Sequence, residues 1–183
     1  MADFNIAYNW MMDNEDMPRA CATVPDSSPH GVAGPCYAIS GINSGSWPAE
    51  YAQIAALDPS QREPLVQQFY QNHYWNQHYA AINSDEVCKR VFDFAVNAGA
   101  ESIKCLQQAV NSVAAAGTSP LTADGGLGPM TVAAVNAATP DQQSEQNLVT
   151  AFQGQRVAFY QAIVANNPSN QKYLKGWTAR AMK

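Results

Sequence analysis

The chain has 183 residues, 46% of them hydrophobic and 14% charged, with a formal net charge of −5. That composition describes a globular protein with a real core rather than a disordered chain. The acidic balance offers no basic surface for nucleic acid or an anionic membrane, and no apolar run approaches the roughly 20 residues of a membrane-spanning helix.

The N-terminal stretch MADFNIAYNWMMDNED is amphipathic and acidic. It lacks the basic start and continuous apolar segment of a signal peptide, so a protein made without a visible signal peptide is expected. Phe4, Ala7, Trp10 and Met11 form one helical stripe, which predicts a first helix near residues 3–13 with Asp3 as its cap. Pro18 cannot continue that helix, so Glu15 falls at or just past its C-terminal end. From Arg19 to Trp47 the chain is rich in Pro, Gly, Ser and Thr and reads as an irregular or β-ribbon segment with strong turn signals. A compact domain seldom carries so long a loop without a function.

Pro48 to Leu57 reads as a short helix, and Glu63 to Tyr79 as a longer one with Pro64 in its first turn. The second is dense in aromatic residues: Phe69, Tyr70, Tyr74, Trp75 and Tyr79. Asn83-Ser84-Asp85 caps the next helix, in which Val91, Phe94, Ala95 and Ala98 form an apolar stripe. Gly99 ends it, and Ile103, Leu106, Ala109 and Val110 begin a second stripe. Asp93 and Asn97 are four apart and share a helix face. That placement fits the lining of a polar groove, and it fits equally a solvated face or helix-end hydrogen bonds. Residues 114–128 form a linker, and Asp124 to Pro129 a structural turn into a helix that starts at Pro129. A helix from Ser144 to Ala165 carries Leu148, Phe152, Val157, Tyr160 and Val164 until Pro168 stops it, and a short final helix carries Tyr173, Leu174 and Trp177. The expected count is seven or eight helices with at most a small β-ribbon.

The four cysteines form two local couples, Cys21 with Cys36 and Cys88 with Cys105. An oxidising envelope space would favour those two disulfides; four buried free thiols are the alternative. Their spacing does not match a zinc site, so no metal is expected. No Ser-His-Asp or Cys-His ordering, phosphate loop or dinucleotide fingerprint is present.

Several motifs in order carry a resemblance: FYQNHYW at 69–75, RVFDFAVNAG at 90–99, a following Lys-Cys-Leu-Gln-Gln helix, DGGLGPMTVAAVNA at 124–137, Arg156 with Phe159-Tyr160, and YLKGWTAR at 173–180. Together they resemble glycoside hydrolase family 108, the lysozyme-like muramidases with a C-terminal predicted peptidoglycan domain. The resemblance covers most of the chain. It implies a mainly α, lysozyme-like single domain over 1–183 with a small β-ribbon or irregular lobe beside a substrate groove. Residues 1–83 would be the catalytic half and 84–183 the helical peptidoglycan half.

The implied chemistry is hydrolysis of the bond between N-acetylmuramic acid and N-acetylglucosamine, without a cofactor. Glycoside hydrolysis needs a protonated carboxylic acid at the leaving oxygen and a second group that places water or stabilises the cationic ring. Glu15 is the implied acid. The family pattern follows that glutamate with two glycines and an aromatic, whereas here Asp16, Met17 and Pro18 follow it. Asp26 occupies the family's Asp-Pro-rich turn and is the candidate second carboxylate; a Pro-Asp-Ser turn is also what an Asx-turn side chain looks like. Ser40 and Asn43 are candidates to orient water or substrate, with His30 a possible replacement for Asp26. Asp93, Asn97, Tyr74 and Trp75 are the implied substrate-binding residues. The implied partner is the peptidoglycan glycan strand, met by a monomer in the periplasm or cell wall after export or lysis. The biological roles consistent with this are a phage-type endolysin or a secreted antibacterial effector, the latter with an immunity protein. A catalytically weak peptidoglycan-binding module and a lytic transglycosylase using the same glutamate are the alternatives.

Overall fold

A computed structural model describes residues 1–16 and 19–183. The expectation that Pro18 stops the first helix falls on residues 17 and 18, outside the described residues. The protein is mainly α, of the lysozyme-like class, with one small antiparallel sheet among the described residues. Its chain divides into two compact units. One comprises Tyr8–Trp75, and the other Met1–Ala7 with Asn76–Lys183.

Helix α1, Phe4–Glu15, contributes to both. Asp3 caps it, its carboxylate accepting from Asn5 N at 2.7 Å. Phe4, Ala7, Tyr8, Met11 and Met12 are buried, while Trp10, expected on the apolar stripe, is only half-buried.

In the unit 8–75, three strands follow α1 in the order β1 (Thr23–Asp26), β2 (Cys36–Ile39) and β3 (Ile42–Asn43). Ile39 pairs with Ile42, so Ser40 and Gly41 form a two-residue hairpin, with φ of 48° and 82°. Two successive positive φ values are what a tight turn between right-twisted strands requires. Ile39 and Ile42 turn inward with Ile54 of α2 (Pro48–Ala55) and Val66, Phe69 and Tyr70 of α3 (Glu63–His73). Arg62, buried ahead of α3, donates to the carbonyls of Leu57 (3.0 Å), Cys21 (2.7 Å) and Ala55 (3.3 Å), joining the end of α2 to the segment before β1. The single helix expected from Glu63 to Tyr79 is two: Asn76 caps a separate short α4, Gln77–Ala80, by accepting from His78 N at 2.9 Å.

In the second unit, Ser84 caps α5 (Asp85–Ala98), its Oγ accepting from Val87 N at 3.0 Å. Gly99, at φ 54°, turns α5 directly into α6 (Ala100–Val113). The glycine-rich turn is held by Gln107 of α6, which donates to Asp124 (2.8 Å) and Thr131 (3.1 Å) and accepts from Gly125 N (3.0 Å). It leads into α7, Pro129–Ala137, with proline in the first turn. The long α8, Gln142–Asn166, packs Leu148, Phe152 and Tyr160 against Phe94, Ile103 and Leu106 of α5 and α6, and α9, Gln171–Ala181, lies on α8.

All four cysteines are buried and free, so the expected couples Cys21–Cys36 and Cys88–Cys105 are not formed. Each thiol has its own packing site. Cys88 Sγ lies 3.5 Å from the Tyr79 carbonyl, Cys105 Sγ 3.9 Å from that of Gln155, and Cys21 donates to Glu63 at 3.5 Å. Burial, followed by the charge of Glu101, pushes the Cys105 thiol up to about 11.

Candidate active site

Glu15 ends α1 in the unit 8–75, and the β2–β3 hairpin comes up beside it. A Cβ placed on Gly41 would lie 3.4 Å from Glu15 Oε2 and 2.7 Å from the Tyr70 hydroxyl. Only a residue without a side chain admits that approach. The Tyr70 hydroxyl donates to the Ser40 carbonyl at 2.8 Å, which anchors the hairpin to α3. Tyr74, at the end of α3, packs on Tyr70 with ring centroids 5.7 Å apart. Burial, and then the nearby Glu15 charge, pushes the Tyr74 phenol above its ordinary range. Glu15, Gly41, Tyr70 and Tyr74 therefore form one cluster: a half-buried carboxylate with a backbone turn on one side and phenol rings within electrostatic reach. Trp75 follows Tyr74 and is half-buried, its backbone N donating to the Tyr70 carbonyl at 3.3 Å.

Asp26 lies elsewhere on the same sheet. It pairs with Cys36, three registers from the Thr23–Ile39 pair next to the hairpin turn, a distance of about 10 Å along the strands. Its carboxylate accepts from Asn43 Nδ2 at 2.7 Å and from Ser27 N at 2.7 Å. Asn43 also donates to the Ser27 carbonyl (3.0 Å) and accepts from Gly45 N (2.8 Å), so its amide is engaged in holding the loop after β3. Ser40 was expected to orient water or substrate. Its side chain instead turns inward: it is 5% exposed and donates to Asp16 at 2.6 Å.

Asp93 is a correction. Its shared face with Asn97 suggested a polar groove, yet Asp93 has 0% exposure. Its carboxylate accepts from Arg156 Nη2 at 3.0 Å and from Arg180 Nη2 at 2.7 Å. A carboxylate without accessible surface, engaged by two guanidinium groups, has nothing to offer a ligand. It ties α5 to α8 and α9. Asn97 is exposed, with its amide donating back to the Asp93 carbonyl at 3.0 Å.

Sequence reading missed Asp16, Tyr70 and Glu63 in the first unit and the roles of Arg156 and Arg180 in the second. Glu63 accepts from the Tyr8 hydroxyl at 2.9 Å. Burial, followed by that hydrogen bond, pushes the Tyr8 phenol well above its ordinary value. One signal for the Asp93 hub was present in the sequence. Asp93 and Arg156 each stand on an apolar helix among phenylalanines, and buried charges occur in pairs. Among the described residues, no group of three or more His, Cys, Asp or Glu has the arrangement of a metal site. Cavities of about 280 Å³ between α6, α7 and α8 and about 210 Å³ between α2 and α3 are lined by other residues than this cluster.

Comparison with known families divides the chain at the α5–α6 turn rather than at residue 75. Residues 31–99 match the family described as Glycosyl hydrolase 108, and residues 101–182 match the Predicted Peptidoglycan domain. The two lie in that order along the chain, and together they support a peptidoglycan-related hydrolase. The first match includes the hairpin, Tyr70, Tyr74 and Trp75, and begins after Glu15 and Asp26. No curated protein matches the chain.

Proposed function

We propose that the chain is a family 108 glycoside hydrolase that cleaves the N-acetylmuramic acid–N-acetylglucosamine bond of peptidoglycan, with Glu15 as the general acid. The observation that carries this reading is the seating of the Glu15 carboxylate at the end of α1 against the Gly41 turn, beside Tyr70 and Tyr74. A carboxylic acid at a sheet–helix junction, with aromatic faces beside it, is suited to protonating a leaving sugar oxygen while a ring stacks. Tyr74 and Trp75 supply the stacking faces. Asp26 is the proposed second group. The separation between its carboxyl group and that of Glu15 decides between inversion and retention. Asn43 then serves to hold Asp26.

The second unit provides wall affinity. Residues 146–183 contain no Asp or Glu, and Lys172, Lys175 and Lys183 are exposed there, while Arg156 and Arg180 are taken up by Asp93. On α9, Trp177 stacks between ring partners, with centroids 5.2 Å from Tyr160 and 5.5 Å from the exposed Tyr173. A locally basic, aromatic face within an acidic protein suits a glycan that bears carboxylates. The proposed place of action is the periplasm or wall, as a phage-type lysin or a secreted antibacterial effector.

One observation favours a second reading, a wall-binding module with weak or no catalysis: the Glycosyl hydrolase 108 match starts downstream of Glu15. Digestion of purified peptidoglycan by the wild type and by Glu15→Gln, with released fragments identified by mass, separates the two. Reducing muramic ends from the wild type, lowered about 10²- to 10⁴-fold in the variant, are expected of a general acid. Anhydro ends would make the enzyme a lytic transglycosylase with the same acid. Binding without any release by the wild type would sink the hydrolase reading.

A further inference from the structure

Among the described residues, three non-glycine residues in the unit 8–75 hold positive φ: Arg19 at 63°, Cys21 at 44° and Ser40 at 48°. Residues with a Cβ adopt this conformation only when their surroundings impose it, and such positions cluster at functional sites. All three bond to one residue. The Asp16 carbonyl accepts from Arg19 N. Its carboxylate Oδ2 accepts from Cys21 N at 3.0 Å and from Ser40 Oγ at 2.6 Å. Arg19 is bound in turn to α1, donating to Asn9 Oδ1 (2.9 Å), the Asn9 carbonyl (2.9 Å) and Asp13 (2.8 Å). Asp16, the residue after Glu15, thus joins the end of α1 to the segment before β1 and to the hairpin that carries Gly41.

We propose that Asp16 is a positioning residue for the reaction assigned to Glu15, holding the Ser40–Gly41 turn against the acid. This rests on the reading of Glu15 above. Among the described residues, side chains from both flanking helical segments hold the turn, and Ser40 Oγ also lies 3.4 Å from Cys21 Sγ. Tyr70 donates to the Ser40 carbonyl from the α3 side, and Asp16 accepts the Ser40 hydroxyl from the α1 side. Removing Tyr70 would leave the turn attached to α1, whereas removing Asp16 frees it from the helix that bears the acid. The family pattern uses two glycines after the glutamate to bring backbone close. Here the close approach is imposed by a carboxylate that draws Cys21 and Ser40 into left-handed backbone. The charge-assisted bond to Ser40 is of the short, strong kind, and it acts one residue from the acid. An error of about 1 Å in such an alignment costs on the order of 100-fold in rate.

The test compares Asp16→Ala, Asp16→Asn, Ser40→Gly and Glu15→Gln on soluble peptidoglycan strands, with kcat and KM measured separately. Asp16→Ala is expected to lower kcat by about 10- to 100-fold with KM changed less than about threefold. Asp16→Asn keeps an acceptor for Cys21 N and Ser40 Oγ and is expected to restore kcat to within about threefold of wild type. Ser40→Gly relieves the backbone strain but removes the tether, and is expected to lose kcat as Asp16→Ala does. If Asp16→Ala does not fold, Ser40→Gly and Asp16→Asn carry the test. Wild-type kcat in Ser40→Gly, loss in KM alone, or an Asn variant as impaired as Ala would overturn the proposal. If Glu15→Gln keeps its activity, the assignment of the acid itself fails. If Glu15→Gln is inactive and Ser40→Gly is not, only the role of Asp16 fails.

Discussion

Replacing Asp93 with asparagine separates a structural hub from a substrate-binding residue. The Asp93 carboxylate and the Arg156 guanidinium are 0% and 1% exposed, and they meet at 3.0 Å. Arg180 reaches the same carboxylate at 2.7 Å with 19% exposure. Arg156 Nε and Nη1 have no hydrogen-bond partner in the described structure. The guanidinium also lies near the ring of Phe94 at 5.0 Å and that of Phe152 at 5.9 Å, with Tyr160 and Arg180 within electrostatic reach. Burial, the largest influence on Arg156, pulls its pKa below the ordinary value, and the Asp93 charge opposes that. Asparagine keeps the shape and removes the charge, which leaves a buried cation uncompensated. Breaking such a pair from one side costs about 3–5 kcal/mol, which for a chain of this size lowers the melting midpoint by roughly 10 °C. Thermal unfolding followed by circular dichroism reads the shift. The companion Arg156→Met, alone and combined with Asp93→Asn, reads the coupling. The double variant should recover much of the loss, because the penalty comes from the unpaired charge. A midpoint within about 2 °C of wild type, outside the range expected of a broken buried pair, together with lost glycan binding would refute this reasoning and return Asp93 to the substrate site.

Denatured protein should titrate four thiols with a disulfide reagent, and native protein should react slowly; reductant should leave the melting midpoint unchanged. Burial raises the thiol pKa of Cys21, Cys88 and Cys105, the last to about 11. Their contribution to stability is therefore complete below the unfolded thiol value of about 8.5 and is lost as pH rises through the folded values; stability rising over that interval would contradict the burial. Gly41→Ala should cut activity at least about tenfold, as expected for a displaced acid, because the new methyl meets Tyr70 at 2.7 Å and Glu15 at 3.4 Å. Gly31→Ala is the control. Its φ of 85° is equally unsuited to alanine, but nothing lies within 4 Å, so it should lose some stability and keep the activity.

What sequence periodicity conveys is which residues share a face; it does not say what that face meets. It identified the α5–α6 hairpin and its turn at Gly99, the caps Asp3 and Ser84, and the start of α7 at Pro129, because each depends on neighbours within a few residues. It left open what the Asp93–Asn97 face meets, because the arginines that take up the Asp93 carboxylate stand 63 and 87 positions later. The break between α3 and α4 was missed for a local reason: the aromatic density from Phe69 to Tyr79 reads as one helix, and the capping asparagine between them, Asn76, is a weak interruption in such a run. The acid shows the same division. Glu15 could be placed at a helix end from the pattern of α1 alone. That Gly41 comes within van der Waals contact of it depends on the β2–β3 register, on Tyr70 and on Asp16. The Glu-Asp-Met-Pro sequence looked like a lost glycine turn. In the folded chain, Asp16 brings hairpin and helix together through hydrogen bonds, so the departure from the family pattern coincides with a different way of making the same close contact.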